Sequence, residues 1–148
     1  MNRTTVVAIL FFTFCMGAGA ADRKHIVNPR PKGFETLPFS DGVLVGNTLY
    51  VAGHIGVEQK TGMPPASAEE EARLAMEGIK QTVESAGMSM DDLVSVQVFC
   101  TDIKLYDTFN TVYKSYFHGG EYPARAFVGT DNLLRGGRYE VMGIAIKK

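Results

Sequence analysis

The stretch Val43-Leu44-Val45-Gly46-Asn47-Thr48-Leu49-Tyr50-Val51-Ala52-Gly53-His54-Ile55 decides the fold. Two apolar runs, Val43 to Val45 and Leu49 to Val51, flank Gly46-Asn47-Thr48. Glycine and asparagine tolerate positive φ, so a Gly-Asn pair between two such runs predicts a β-hairpin. The second strand is expected to continue to Ile55.

Downstream, Lys60-Thr61-Gly62-Met63-Pro64-Pro65 reads as a loop. Ser67 with Glu70 three residues on has the form of a capping box and opens a helix. Glu69, Glu70 and Glu71 suit the positive end of its dipole. Ala72, Ala75, Met76, Ile79 and Val83 recur at helical spacing as the buried stripe, and Gly87 is the stop. Leu93 to Thr101 reads as a strand, with Val94, Val96, Val98 and Cys100 on one face. Tyr106, Phe109, Asn110, Tyr113, Tyr116 and Phe117 mark a second helix, ended by Gly119-Gly120. Ala124 to Gly129 and Tyr139 to Ile146 are two more strands, the last preceded by a turn at Gly136-Gly137. Upstream, Ala21 to Lys32 is polar and basic, contains Pro29 and Pro31, and reads as a loose lead-in. The predicted order is β-β-α-β-α-β-β, an α+β fold with two helices packed on one face of a mixed sheet. If the other face is also apolar it needs a partner surface, which a self-associating trimer would supply.

The first twenty residues have a different character. Arg3 precedes an uncharged apolar run, Val6 to Met16, and Ala18-x-Ala20 follows as a small-residue cleavage site. That order is a secretory signal peptide, and the apolar run is short for a bilayer roughly 30 Å thick. The expectation is a leader at residues 1–20, a single domain at 21–148, and an exported protein, periplasmic or secreted. Of 148 residues, 15 are Lys or Arg and 16 are Asp or Glu. Removing the leader removes one arginine and no acid, so the mature chain is slightly acidic. Neither nucleic acid nor an anionic membrane is an expected partner. Cys100 is the one cysteine beyond the leader, so no internal disulfide is expected. Its apolar neighbours read as buried and inert. His25, His54 and His118 lack metal-ligand spacing, and no phosphate-binding glycine motif is present.

Three segments carry a family resemblance. Gly46 to Ile55 resembles a Gly-Asn hairpin followed by a strand ending in small-Gly-Gln-Ile. Asn110-Thr111-Val112-Tyr113 is similar to a helical Asn-x-x-Tyr. Pro123-Ala124-Arg125-Ala126-Phe127-Val128, with Glu140 fifteen positions after the arginine, resembles a C-terminal signature. Together, in this order, they resemble the Rid (YjgF/YER057c/UK114) family from about Phe34 to Lys148. The resemblance implies a chorismate-mutase-like α+β fold and a homotrimer. It also implies hydrolytic deamination of small carboxylate-bearing imines or enamines, the 2-iminopropanoate and 2-iminobutanoate class, to a 2-keto acid and ammonia. No metal or organic cofactor is implied, because an imine is already electrophilic. The sequence departs from the family pattern at Ala52 for a serine, His54 for a glutamine, Phe39 for an aromatic that is often tyrosine, and Met142 for a second glutamate. Tyr139, Val141 and Asp131 are further departures.

The residues have their own chemistry. Arg125 lies in an apolar strand, where a guanidinium is costly unless paired or half-exposed. Its planar fork matches a carboxylate. It forms either a structural ion pair, with Glu140 or Asp131, or a ligand site. Glu140 shares a strand face with Met142, and a carboxylate in apolar surroundings can orient or deprotonate a water; an ion pair is the competing reading. In the mechanism that the resemblance implies, Arg125 holds the substrate carboxylate with backbone N–H groups near Gly53 and Phe127. Glu140 positions the attacking water. Phe39 and Tyr113 line the pocket, Ala52 and His54 form its wall, and Asn110 hydrogen-bonds across a subunit boundary. The alternative is a small-molecule binding protein on the same trimeric scaffold. RNA cleavage, a label some members of the family carry, is disfavoured by the acidic balance and the lack of a basic, aromatic-interleaved stripe.

Overall fold

The computed structural model of the chain describes residues 22–30 and 36–148. The expected leader and its cleavage after Ala20 lie outside the described residues. Six strands, β1 (Arg23–Ile26), β2 (Gly42–Val45), β3 (Thr48–Ile55), β4 (Leu93–Cys100), β5 (Ala124–Gly129) and β6 (Tyr139–Ile146), form one sheet in the order β1-β2-β3-β6-β4-β5. The β4–β5 pair is parallel and the others are antiparallel. Helices α1 (Ala68–Ser85) and α2 (Tyr106–Lys114) complete the mixed α+β fold.

The hairpin forms at Gly46, where φ is 60° and Val45 pairs with Thr48. Ser67 caps α1 by accepting from the Glu70 N–H at 3.3 Å, and Ala72, Ala75, Met76, Ile79 and Val83 are its buried stripe. Gly87 follows the helix with φ of 74°. These residues meet Leu49, Val51, Val96, Val98, Val141 and Ala145 from the sheet. Phe109 and Tyr139, both fully buried, stack 5.1 Å apart between α2 and the sheet.

Two sequence expectations are corrected. The lead-in at Ala21 to Lys32 is not uniformly loose: Arg23–Ile26 is an edge strand on β2. Its pattern hides it, because only Ile26 is buried and the rest is charged or polar, as edge strands commonly are. The buried face of β4 does not begin at Val94, which is 43% exposed. The register against β6 slips between Leu93 and Ser95, and Leu93 takes the interior position instead. The sheet face turned away from the helices carries Tyr50, Met142 and Ile146 from the central strands and Val128 from β5, all exposed apolar side chains.

Candidate functional site

Arg125 stands on β5 opposite Val96 of β4, and Val96 is interior. Cross-strand partners share a face, so Arg125 points to the helix side. There its Nη2 donates to Asn110 Oδ1 at 2.7 Å and lies 3.5 Å from the Tyr106 hydroxyl. The guanidinium carbon sits 4.5 Å from the Tyr113 ring centroid, 5.6 Å from that of Tyr106 and 5.8 Å from that of Phe127. Aromatic faces stabilise a cation without neutralising it. No carboxylate among the described residues pairs with Arg125, and its Nη1 has no hydrogen-bond partner. The ion pairs with Glu140 or Asp131 that sequence left open are therefore absent. Tyr113 also has a hydroxyl without a partner. Burial pushes its pKa up to about 12, against the opposing effect of Arg125. Tyr106, Asn110 and Tyr113 fall at helical spacing on α2, a signal by which Tyr106 could have been added to the site.

Glu140 belongs to a second cluster. It pairs with Ile55 on one side and Phe99 on the other. Phe99 is three residues from Val96 on an unbroken stretch of β4, so Glu140 and Arg125 point to opposite faces, with β4 between their strands. Within one protomer the two side chains therefore do not meet. Glu140 instead lies against Gly53: a β-carbon there would collide with its carboxylate. Gly53 is thus required by close approach. Both residues line a cavity of about 700 Å3 together with Phe39, Ala52 and His54. Phe39 is 48% exposed, with the Arg30 guanidinium 5.5 Å from its ring centroid.

The β3–β6 register slips between Val51 and His54. Strict alternation would turn His54 away from Val51. The bulge puts His54 opposite interior Val141 and against Gly78 of α1, which a side chain larger than hydrogen would crowd. His54 Nε2 is 3.1 Å from Thr82 Oγ1, which donates to the Gly78 carbonyl at 2.9 Å and accepts from Asn28 Nδ2 at 2.8 Å. Thr82 has one proton, and it is committed to Gly78. Nε2 therefore carries the imidazole hydrogen, and Nδ1 is the free lone pair. Asn28 continues the network, its N–H donating to buried Asp41 at 2.7 Å, and Arg30 closes it at 2.7 Å on the same carboxylate. Ala52 N–H donates to the Asp41 carbonyl at 2.8 Å, which ties the bulge to this network. Asn28, Arg30, Asp41 and Thr82 were not singled out in the sequence, since nothing local marks Thr82 as a partner of Asn28, 54 residues away, or Asp41 as a partner of Asn28 and Arg30, 13 and 11 residues away.

Burial lowers the His54 pKa to about 4; Asp41 opposes the shift and Arg30 adds to it. A histidine lowered in the folded state is stabilising while neutral, above the ordinary value near 6.5. That stability is lost as pH falls from there to the folded value. Lowering the pH from 7 to 4 should cost about 3 kcal/mol through this one group. The pH dependence of urea unfolding should be shallower by that amount in His54→Gln; equal slopes in the two proteins would refute the assignment.

Among the described residues no cluster of His, Cys, Asp and Glu is placed to hold a metal ion. Fold and site together define a small α+β protein with an unpaired guanidinium on one sheet face and a glycine-supported carboxylate on the other. The chain belongs to the Rid (YjgF) family: the sequence family described as Endoribonuclease L-PSP matches residues 33–147. It is 34% identical over 113 residues to the 2-iminobutanoate/2-iminopropanoate deaminase of Escherichia coli K12, covering 75% of this chain and 88% of that one. The Bos taurus protein of the same name is 36% identical over 111 residues, 74% of this chain and 80% of the other. A crystal structure of E. coli TdcF with bound serine superposes with a TM-score of 0.76 at 33% identity, covering 84% of this chain and all of that one. The YjgF gene product of E. coli gives 0.76 at 32% identity, with 84% and 99% covered.

Proposed function

We propose that this protein is a hydrolytic deaminase of carboxylate-bearing imines. The observation that carries the proposal is Arg125, a part-buried guanidinium with an unsatisfied Nη1 and no carboxylate of its own. Such a group is held ready for an external anion, and its planar fork matches a carboxylate bidentately. Relatives at 34–36% identity named as 2-iminobutanoate/2-iminopropanoate deaminases support the reading.

One protomer keeps Arg125 and Glu140 on opposite faces, so the proposal includes completion of the site between subunits of a homotrimer. Arg125, Asn110 and Phe127 of one subunit face Glu140, Gly53, Ala52 and Phe39 of the next. The exposed apolar sheet face with Tyr50, Val128, Met142 and Ile146 supports self-association. With the substrate carboxylate on Arg125, the Glu140 carboxylate takes a proton from a water. The oxygen bonds to the imine carbon while the C=N pair moves to nitrogen. Glu140 returns that proton to nitrogen, giving a carbinolamine. It then takes the hydroxyl proton and passes it to nitrogen as the C=O bond forms and the C–N bond breaks, leaving a 2-keto acid and ammonia. The balance of 15 Lys and Arg against 16 Asp and Glu gives the chain no cationic excess to attract RNA.

The test generates 2-iminopropanoate in situ with an amino-acid oxidase and follows loss of the imine and appearance of pyruvate. Wild-type protein should accelerate hydrolysis. Glu140→Gln should lower kcat about 100-fold, within the range for loss of a general base, with KM changed by less than about 3-fold. Rates equal to the protein-free control would reject the enzyme reading and leave the small-molecule binding alternative.

A further inference from the structure

The cavity beside Glu140 is far larger than the substrates named for the relatives require. It measures about 700 Å3. A four-carbon imino acid has about seven heavy atoms and occupies at most roughly 200 Å3, counting each at a liquid water's share of about 30 Å3. The remaining space is comparable to that of pockets enclosing drug-sized ligands.

Its walls say what would fill it. Leu37, Phe39, Ile55, Val57, Leu74 and Leu134 supply apolar surface. The polar groups in the interior of the cavity are committed to the protein: Arg30 to Asp41, and Asn28 to Thr82 and Ser85. His54 is held neutral by burial. Glu77 and Glu84 lie on the exposed surface of α1 at the rim, and half-buried Lys80 beside them has its Nζ 4.0 Å from the Glu84 carboxylate. Beyond Glu140, the interior therefore holds no uncommitted charge that would reward a charged side chain. Phe39 is half exposed in the single protomer.

We infer that this cavity is a side-chain subsite, and that the chain prefers 2-imino acids with large apolar side chains, of leucine or phenylalanine size, over the three- and four-carbon compounds. The inference rests on the deaminase reading for its chemistry, but the subsite can be tested without catalysis. With Glu140 beside the reacting carbon, a long side chain extends into the cavity that Glu140 and Leu74 both line and displaces water from the apolar wall. A short one leaves that wall wet.

Two measurements separate the readings. The first titrates wild-type protein calorimetrically with pyruvate, 2-oxobutanoate, 4-methyl-2-oxopentanoate and phenylpyruvate, the keto-acid products and stable stand-ins for the imines. The second compares kcat/KM for imines generated from alanine, leucine and phenylalanine. Both should rise with side-chain size, by at least ~10-fold from the smallest to the largest, in line with discrimination by an apolar pocket. Gln81→Trp places an indole into the cavity from the exposed face of α1. It should abolish that preference and leave the affinity for pyruvate within about 2-fold. Flat or reversed affinities together with hydrolysis of the alanine-derived imine would overturn the subsite and spare the deaminase. Tight phenylpyruvate binding without hydrolysis of any imine would do the opposite. Neither binding nor hydrolysis would overturn both.

Discussion

Arg125→Ala is expected to lower kcat/KM for imine hydrolysis by at least ~100-fold, equivalent to about 2.7 kcal/mol, while moving the unfolding midpoint little. The loss of activity follows from the missing counter-ion. Asn110 Oδ1 takes one N–H, three aromatic rings surround the guanidinium, and Nη1 is left without a partner. A bound carboxylate would be the group that completes this arrangement, and losing a charge-assisted, fork-matched contact costs about 2–5 kcal/mol. Stability changes little because the empty protein gains little from this arginine. Truncation loses cation–π contacts but also relieves a part-buried cation of its missing hydrogen bond. Arg125→Lys separates charge from geometry: it keeps the cation and loses the fork, and should recover less than a tenth of the activity. A lysine variant with near wild-type kcat/KM would show that charge alone suffices, and an alanine variant that unfolds would return Arg125 to a structural role.

How much of this was legible beforehand depended on whether the signal was local. The Gly46-Asn47 hairpin, the α1 stripe from Ala72 to Val83 and the limits of β5 and β6 follow from period and turn chemistry within a few residues, and the fold agrees with them. Arg125 and Glu140 stood out because a charge in an apolar strand is anomalous on its face. What could not be read was which way each points relative to the other. That depends on the pairing of β4 with β5 and with β6, and a slip of one residue turns a side chain to the opposite face. The same applies to His54. Its alternation from Val51 is overridden by the bulge at Ala52-Gly53, a device that the small residues there permit but do not announce. The edge strand Arg23–Ile26 was missed for want of an apolar pattern.

Glu71 is the sharpest example of a residue whose sequence reading was incomplete, and replacing it should have the largest effect on stability. In sequence it was one of three acids suited to the start of α1. In the fold it is fully buried, unlike its exposed neighbours Glu69 and Glu70. Its carboxylate receives the Arg138 guanidinium and the backbone N–H of Arg138, and the Tyr139 N–H at 3.2 Å. Arg138 in turn donates to the carbonyls of Pro65 and Ala66, each at 3.0 Å. The first turn of α1 is thereby fastened to the start of β6, one residue before Tyr139 and two before Glu140. Glu71→Ala leaves a partly buried guanidinium without its counter-ion and two backbone donors without their acceptor, and should cost about 3–5 kcal/mol. Arg138→Ala should cost a similar amount by stranding the carboxylate. The double variant should recover part of the loss, because it removes both charges. It cannot recover all of it, because the N–H groups at 138 and 139 remain unsatisfied. Urea unfolding of the four proteins at one protein concentration measures the cycle. A Glu71→Ala cost below about 1 kcal/mol would mean that water replaces the carboxylate and that β6 is positioned by its strand partners alone. In that case activity should also survive the substitution. If Glu71 sets the start of β6, kcat should fall along with stability even where the folded variant is fully populated, since Glu140 is carried on the same backbone.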